Sequence, residues 1–152
     1  MPRTQQVSTV RVIAADRQAI FDVLADPAMH AIIDGSGTVI DVQDGGPARL
    51  AEGATFGMSM KVGAAYPILN TVVEFEEGVR IAWRHFHGHR WRYELEDAPE
   101  GGTRVTETFD WSTARTKRTL ELAGIPRRNL KGMERTLEKL DEVVTGPRSA
   151  TS

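Results

Sequence analysis

The sequence predicts an α+β domain in which a curved antiparallel sheet closes over one long C-terminal helix. Three observations carry this expectation. Between residues 38 and 111 apolar side chains alternate with period two, interrupted by short stretches containing Gly and Pro, as in a meander of strands. Between 130 and 144 they fall instead three and four apart, the stripe of an amphipathic helix. Strand and helix patterns occupy separate stretches, unlike the regular alternation of a parallel sheet.

Taken in order, residues 7–13 form the first strand, with Val10 and Val12 alternating with Arg11. Asp16 can then cap a helix whose inner face holds Ile20, Phe21 and Leu24. Asp26-Pro27 reads as a second cap with proline at the first helical position, opening a short helix over 28–33 that ends at Gly35-Ser36-Gly37. Six strands follow over 38–43, 55–62, 66–76, 80–86, 89–96 and 104–111. Their turns are Asp44-Gly45-Gly46-Pro47, Gly63-Ala64-Ala65, Glu77-Gly78, Gly88 and Glu100-Gly101-Gly102. Residues 113–123 are compatible with a helix that Gly124-Ile125-Pro126 stops or kinks. Beyond it, Leu130, Met133, Leu137, Leu140 and Val144 make the stripe of the final helix.

The chain has 152 residues, 40% of them hydrophobic, which suits a single domain with one core over 1–152. The ordered part is expected over 7–144, with a flexible small and polar tail over 145–152. Nineteen Lys and Arg against 21 Asp and Glu give a net charge of −2, too even to gather nucleic acid by a global field. Without cysteine there is no disulfide, thiolate metal site or cysteine nucleophile. The polar start lacks the apolar stretch of a signal peptide, and no window is long and apolar enough to span a membrane. A cytoplasmic monomer or homodimer without integral membrane association is therefore expected.

Several runs resemble a known family. They are Ile13-Ala14-Ala15-Asp16, then Ile20-Phe21-Asp22-Val23-Leu24-Ala25-Asp26-Pro27, Met29-His30 and Ile33-Asp34-Gly35-Ser36-Gly37. Val72-Val73-Glu74-Phe75, Arg80-Ile81-Ala82-Trp83, Gly101-Gly102-Thr103-Arg104-Val105-Thr106-Glu107-Thr108 and the terminal helix continue the likeness. With these the chain resembles the START-like, or SRPBCC, superfamily, and within it the bacterial polyketide cyclase/dehydrase-type branch. The resemblance implies the helix-grip fold and an elongated cavity between sheet and helix for a hydrophobic or amphipathic molecule. The superfamily includes lipid carriers, aromatase/cyclases and chaperone regulators, so the fold alone does not choose a reaction.

Period two places candidate cavity residues on common faces where strands are unbulged. Phe56, Met58, Met60 and Val62 share one face; Ile81, Trp83 and His85 a second; His89, Trp91, Tyr93 and Leu95 a third; Val105, Glu107, Phe109 and Trp111 a fourth. Met58, Met60, Trp83, Trp91 and Phe109 are candidates for apolar walls, the alternative being an ordinary packed core. Tyr93, Glu107 and His85 are candidates to orient polar ligand atoms or to transfer protons, because a carboxylate in an apolar wall holds its proton more tightly. Alternatively a bulge turns Glu107 outward, or it pairs with an arginine.

Asp34 before Gly-Ser-Gly reads as a turn cap, with a binding role for His30, Asp34 and Ser36 as the alternative. The stretch from Arg84 through His85, His87 and His89 to Arg92 reads as a hairpin tip with solvated charges. Flanking arginines oppose a metal there, so no metal or cofactor is expected. Arg115, Lys117, Arg118, Arg127, Arg128, Lys131, Arg135 and Lys139 make the C-terminal region basic. Arg135 and Lys139, with Glu134 and Glu138, fit the outer face of an amphipathic helix, and the alternative is that Arg127-Arg128 beside the Gly124–Pro126 break attract an anionic ligand head group or membrane surface. The leading expectation is non-covalent binding of a lipid-like or polyketide-like molecule. The alternatives are a cyclase or dehydratase, and a protein-interaction module with a solid core.

Overall fold

The structure, a computed structural model, describes residues 5–36, 39–42, 46–62, 64–85, 88–114 and 117–146. The expected tail past 146, the turn residues Asp44, Gly45 and Gly63, the side chain of Val62, and Thr38, Gln43, Phe86, His87 and Arg115 lie outside this description. The chain opens with strand β1 (Gln6–Ile13), helix α1 (Arg17–Leu24), a 3₁₀ turn (Pro27–Met29) and the one-turn helix α2 (His30–Ile33). Then come β2 (Val39–Val42), β3 (Thr55–Val62), β4 (Ala64–Glu76), β5 (Arg80–His85), β6 (Arg90–Asp97) and β7 (Thr103–Asp110), followed by α3 (Lys117–Leu122) and α4 (Ile125–Thr145).

Among the described residues the strands form one antiparallel sheet in the order β1-β7-β6-β5-β4-β3-β2. From β3 to β7 each strand follows its predecessor through a short connection, the meander that the turn residues called for, while the longer segment 43–54 joins β2 to β3. The first strand instead pairs with the last, from Gln6 opposite Asp110 to Ile13 opposite Thr103. The two short helices thus carry the chain from one edge of the sheet to the other. This is the helix-grip α+β architecture.

Local chemistry accounts for the helix ends, with one correction. Asp26 accepts from the backbone N–H of Ala28 at 3.0 Å, and Pro27 follows where its missing N–H costs nothing. Asp16 occupies the N-cap of α1 in extended backbone, but its carboxylate makes no capping hydrogen bond. Gly124 adopts φ 71°, which stops α3 and lets α4 start afresh with Pro126 in its first turn. The glycine–proline break therefore separates two helices instead of kinking one.

The core follows the expected faces. Ile20, Phe21 and Leu24 of α1, with Leu137 and Leu140 of α4, join Ile13, Leu50, Ile81 and Val105 in one buried cluster. A second cluster of Phe109, Trp111, Ala114 and Met133 fills the end of the sheet beneath α3.

One departure from strict alternation matters. The β4–β5 register runs Val72 opposite Trp83, then Glu74 opposite Ala82, so Val73 is an extra residue in a bulge. Before it, Ile68, Asn70 and Val72 face inward and are buried. After it the inward residue is Phe75, which meets Phe21 edge-on at 5.5 Å, while Glu74 turns out. On the outer face Glu74 receives Arg92 through two hydrogen bonds of 2.9 and 2.8 Å and Arg90 through one of 3.0 Å. These side chains reach over Ala82, the register partner of both Glu74 and Arg92, which is small enough to lie beneath them. Arg92 holds the Glu74 carboxyl below the usual carboxylate range.

Candidate functional site

Between the concave face of the sheet, the loop after α2 and the first half of α4 lies a cavity of about 550 Å³. That volume is in the range of small-molecule sites. It exists because α4 is anchored unevenly. Its buried residues, Met133, Thr136, Leu137 and Leu140, all lie beyond the first two turns, whereas Ile125, Arg128 and Asn129 within those turns face the space.

The alternation that places core residues also places the wall. Met58 and Met60 from β3, Trp83 and His85 from β5, Trp91 and Tyr93 from β6 and Glu107 from β7 all line the cavity. Register links them: Trp83 stands opposite Trp91, and Tyr93 opposite Glu107. Phe109, grouped with these by its strand face, is the exception. It lies wholly buried behind the wall, with centroids 4.8 Å from Trp91 and 5.6 Å from Trp111, in the second core cluster. Alternation assigns a face but not a position along the strand, and at this end of β7 Met133 and Ala114 have closed the space.

Glu107 is the chemically distinctive wall residue. β7 pairs with β1 and β6 without a bulge, so the side chain faces inward, and among the described residues it pairs with no arginine. It is 2% exposed. The Tyr93 hydroxyl donates to Glu107 Oε2 at 2.9 Å, while Oε1 is buried with no hydrogen-bond partner among the described residues. Burial pushes the carboxyl up to about 8 against the opposing effect of the Tyr93 bond, and the Asp34 carboxylate adds to the rise. Near neutral pH the group is therefore mainly a carboxylic acid, with an O–H to offer at its free oxygen. Burial, reinforced by Glu107, also keeps Tyr93 protonated, well above its ordinary value.

Asn70 on β4 is a second buried polar group in the wall. It is 4% exposed, and its amide makes no hydrogen bond with any described residue. It shares the inward alternation of Ile68 and Val72, so the signal that singled out Glu107 was also present for Asn70. His30 closes the site from α2. It donates through Nε2 to the Leu24 carbonyl at 2.9 Å and stacks on Trp83 with centroids 4.6 Å apart. Burial lowers its pKa and keeps the ring neutral.

The Asp34 loop does what its sequence implied. The carboxylate accepts from the Ser36 hydroxyl at 2.8 and 2.9 Å and from the Ser36 and Val39 backbone at 3.2 Å. The loop also grips α4. The Gly35 N–H donates to Thr136 Oγ1 at 2.8 Å, and Lys139 Nζ donates to the Asp34 carbonyl at 3.0 Å. A Cβ on Gly35 would collide with the Gly132 carbonyl and sit 2.5 Å from the Thr136 nitrogen. The lone glycine at 132 inside the helical stripe was the available sign of such a close approach.

The histidine-rich stretch departs from the solvated hairpin tip expected of it. His85 and His89 line the cavity with their rings stacked 4.5 Å apart, and Arg90 and Arg92 are half-buried in the outer ion-pair network. Among the described residues no group of three or more His, Asp or Glu is arranged to hold a metal ion. Nor, among them, is any helix long and apolar enough to cross a membrane.

Comparison with known proteins places this geometry. A family profile described as polyketide cyclase/dehydrase and lipid transport matches residues 4–145. The chain is 38% identical over 145 residues to the uncharacterized protein Rv0088 of Mycobacterium tuberculosis (strain ATCC 25618 / H37Rv), covering 90% of this chain and 63% of the relative. It thus spans less than two thirds of the curated relatives it matches. Similar solved structures include protein Ms6760 from Mycobacterium smegmatis, with TM-score 0.71, 18% identity and 98% and 94% of the two chains covered. Protein CV1439 from Chromobacterium violaceum gives 0.70, 17%, 94% and 98%. An AHSA1-like protein from Aeromonas hydrophila gives 0.60, 22%, 88% and 92%. At these identities the structures establish a shared fold.

Proposed function

Because the chain belongs to the polyketide cyclase/dehydrase and lipid transport family, the SRPBCC branch its residues resemble, we propose that its cavity binds one hydrophobic molecule carrying a neutral oxygen function, lipid-like or polyketide-like. The observation that carries this is Glu107: a carboxylic acid sealed in an apolar wall with one oxygen unused. An unmade hydrogen bond in such a place costs about 1–3 kcal/mol, and a ligand carbonyl or hydroxyl accepting the Glu107 O–H would recover it. Asn70 offers a second donor and acceptor in the same wall. Met58, Met60, Trp83 and Trp91 would supply apolar contact, each 100 Å² of ligand surface withdrawn from water contributing about 2.5 kcal/mol before ordering costs. A cavity of this size also speaks against an interaction module with a solid core.

The protonation of Glu107 favours one second reading, proton transfer to a bound carbonyl during cyclisation or dehydration. Glu107 would be the acid, Tyr93 its orienting partner, and His85 a further candidate to move protons. Glu107→Gln separates the two readings: binding kept with turnover lost supports catalysis, and equal binding with no turnover in either form supports a carrier.

Native mass spectrometry of protein purified gently from its own host, followed by denaturation and identification of what is released, tests the binding itself. A stoichiometric, oxygen-bearing apolar adduct is expected. A clean apo mass, combined with no change in Trp83 and Trp91 fluorescence on titration with long-chain fatty acids and aromatic polyketides, would sink the proposal.

A further inference from the structure

α3 and the first turns of α4 carry a charge pattern unlike the rest of the molecule. Lys117, Arg118, Arg127, Arg128 and Lys131 face a single carboxylate, Glu121, within residues 117–131 of a chain whose overall charge is −2. That carboxylate is engaged, accepting from Trp111 Nε1 at 2.7 Å. All five cations are exposed, and none makes an ion pair or side-chain hydrogen bond with a described residue. Elsewhere, Arg84 apart, the described arginines find acids, among them Arg11 with Asp141, Arg17 with Asp97, Arg49 with Asp22 and Glu77, and Arg135 with Glu138. The unpaired cluster is thus local. Within it Leu122, 84% exposed, is the most exposed large hydrophobic side chain described. The patch is continuous with the cavity, because Ile125, Arg128 and Lys131 belong to both.

We propose that α3 and the start of α4 form a docking face for an anionic lipid bilayer, which turns the cavity mouth toward the membrane. Exposed cations on both sides of an exposed leucine along α3 and the start of α4 match a surface that offers phosphates in a plane and hydrocarbon beneath it. An acidic protein would satisfy the charges but leaves Leu122 without a role. Nucleic acid offers no apolar layer at all. The arrangement would let an apolar cargo pass between bilayer and cavity without crossing water.

Sedimentation with vesicles of phosphatidylcholine alone, and of phosphatidylcholine mixed with phosphatidylglycerol, tests the face at low and high salt. The protein should bind the anionic vesicles and lose affinity as salt screens the charges. Each basic side chain at an anionic surface is worth roughly fivefold in partitioning, so Lys117→Ala with Arg118→Ala should cost roughly 25-fold. Leu122→Ala should cost roughly tenfold or more. These three positions are exposed and lie outside the cavity wall, so unfolding midpoints and any native-mass adduct should match the parent. No binding to anionic vesicles at low salt, equal binding to neutral vesicles, or parent-like binding by both variants would overturn the docking face. Capture of an acidic protein or nucleic acid without vesicle binding would also overturn it. The face rests on its own charges, so these results leave the cavity's binding role to be judged by the adduct alone.

Discussion

Replacing Glu107 by Gln should stabilise the protein, and by an amount that grows with pH. The carboxyl titrates at about 8 in the fold, against 4.5 for an unburied glutamate. Between those values the unfolded chain gives up this proton while the native state keeps it. The native state therefore binds more protons, and stability falls as pH rises through the window. The slope approaches 1.36 kcal/mol per pH unit, so the cost is about 3 kcal/mol at pH 7 and levels off near 5 kcal/mol above pH 8. Gln is neutral at every pH and keeps a carbonyl that can accept from the Tyr93 hydroxyl. The gap between variant and parent should widen by about 2 kcal/mol from pH 6 to pH 8, roughly 5–9 °C in Tm for a chain of this size. Thermal and urea unfolding of both proteins at pH 6, 7 and 8 measures it, and subtraction cancels other groups such as His30. A gap that does not change with pH would refute the reasoning, because it would mean that Glu107 ionises normally in the folded protein.

Other perturbations follow from the same site and its supports. Asn70→Leu should weaken retention of the ligand recovered by native mass spectrometry about tenfold, since it removes a polar group from the cavity wall; retention at the parent level would count against a role for Asn70 in binding. Gly35→Ala should cost about 2–3 kcal/mol in urea unfolding through its collision with α4, and a neutral result would show that the loop does not grip the helix. Arg92→Ala should cost about 1–2 kcal/mol near pH 7, allowing for the water that reaches this half-buried pair. Because Arg92 lowers the Glu74 pKa, that contribution is complete above the ordinary carboxylate range and disappears as acid protonates Glu74. Acid titration of parent and variant unfolding should therefore converge at low pH; a constant difference would exclude the ion pair as its source.

What the sequence made legible was whatever a local period dictates. The sequence marks β3 at its observed bounds and β6 and β7 within one residue, because large apolar side chains alternate with polar or small ones along them. Met133, Leu137 and Leu140 announced the buried stripe of α4. Contacts between distant segments were not legible. Nothing in Ser-Gly-flanked Gly35 says that it meets Gly132, and nothing in Phe109 says that Trp111 and Met133 arrive before a ligand can. Asn70 was visible in principle, since it occupies an inward position by the same count as Glu107. The bulge carries no compositional mark, and Val73 resembles any other strand residue.

That bulge gives chain length a meaning of its own. β4 serves two interiors in turn: Ile68 and Asn70 before Val73 line the cavity, and Phe75 after it enters the core beside Phe21. What joins the two is one uncompensated step in a count of two, not a particular side chain. Substitution at Val73 can therefore be absorbed, and its removal would leave Val72 and Glu74 on their present faces in regular alternation, whereas pairing Val73 itself with Ala82 would carry the Glu74 carboxylate into the interior and expel Phe75 to solvent. It would also leave Arg90 and Arg92 without their shared acid. The information at this point is held in arithmetic, and an alignment scoring residue identity alone would miss it.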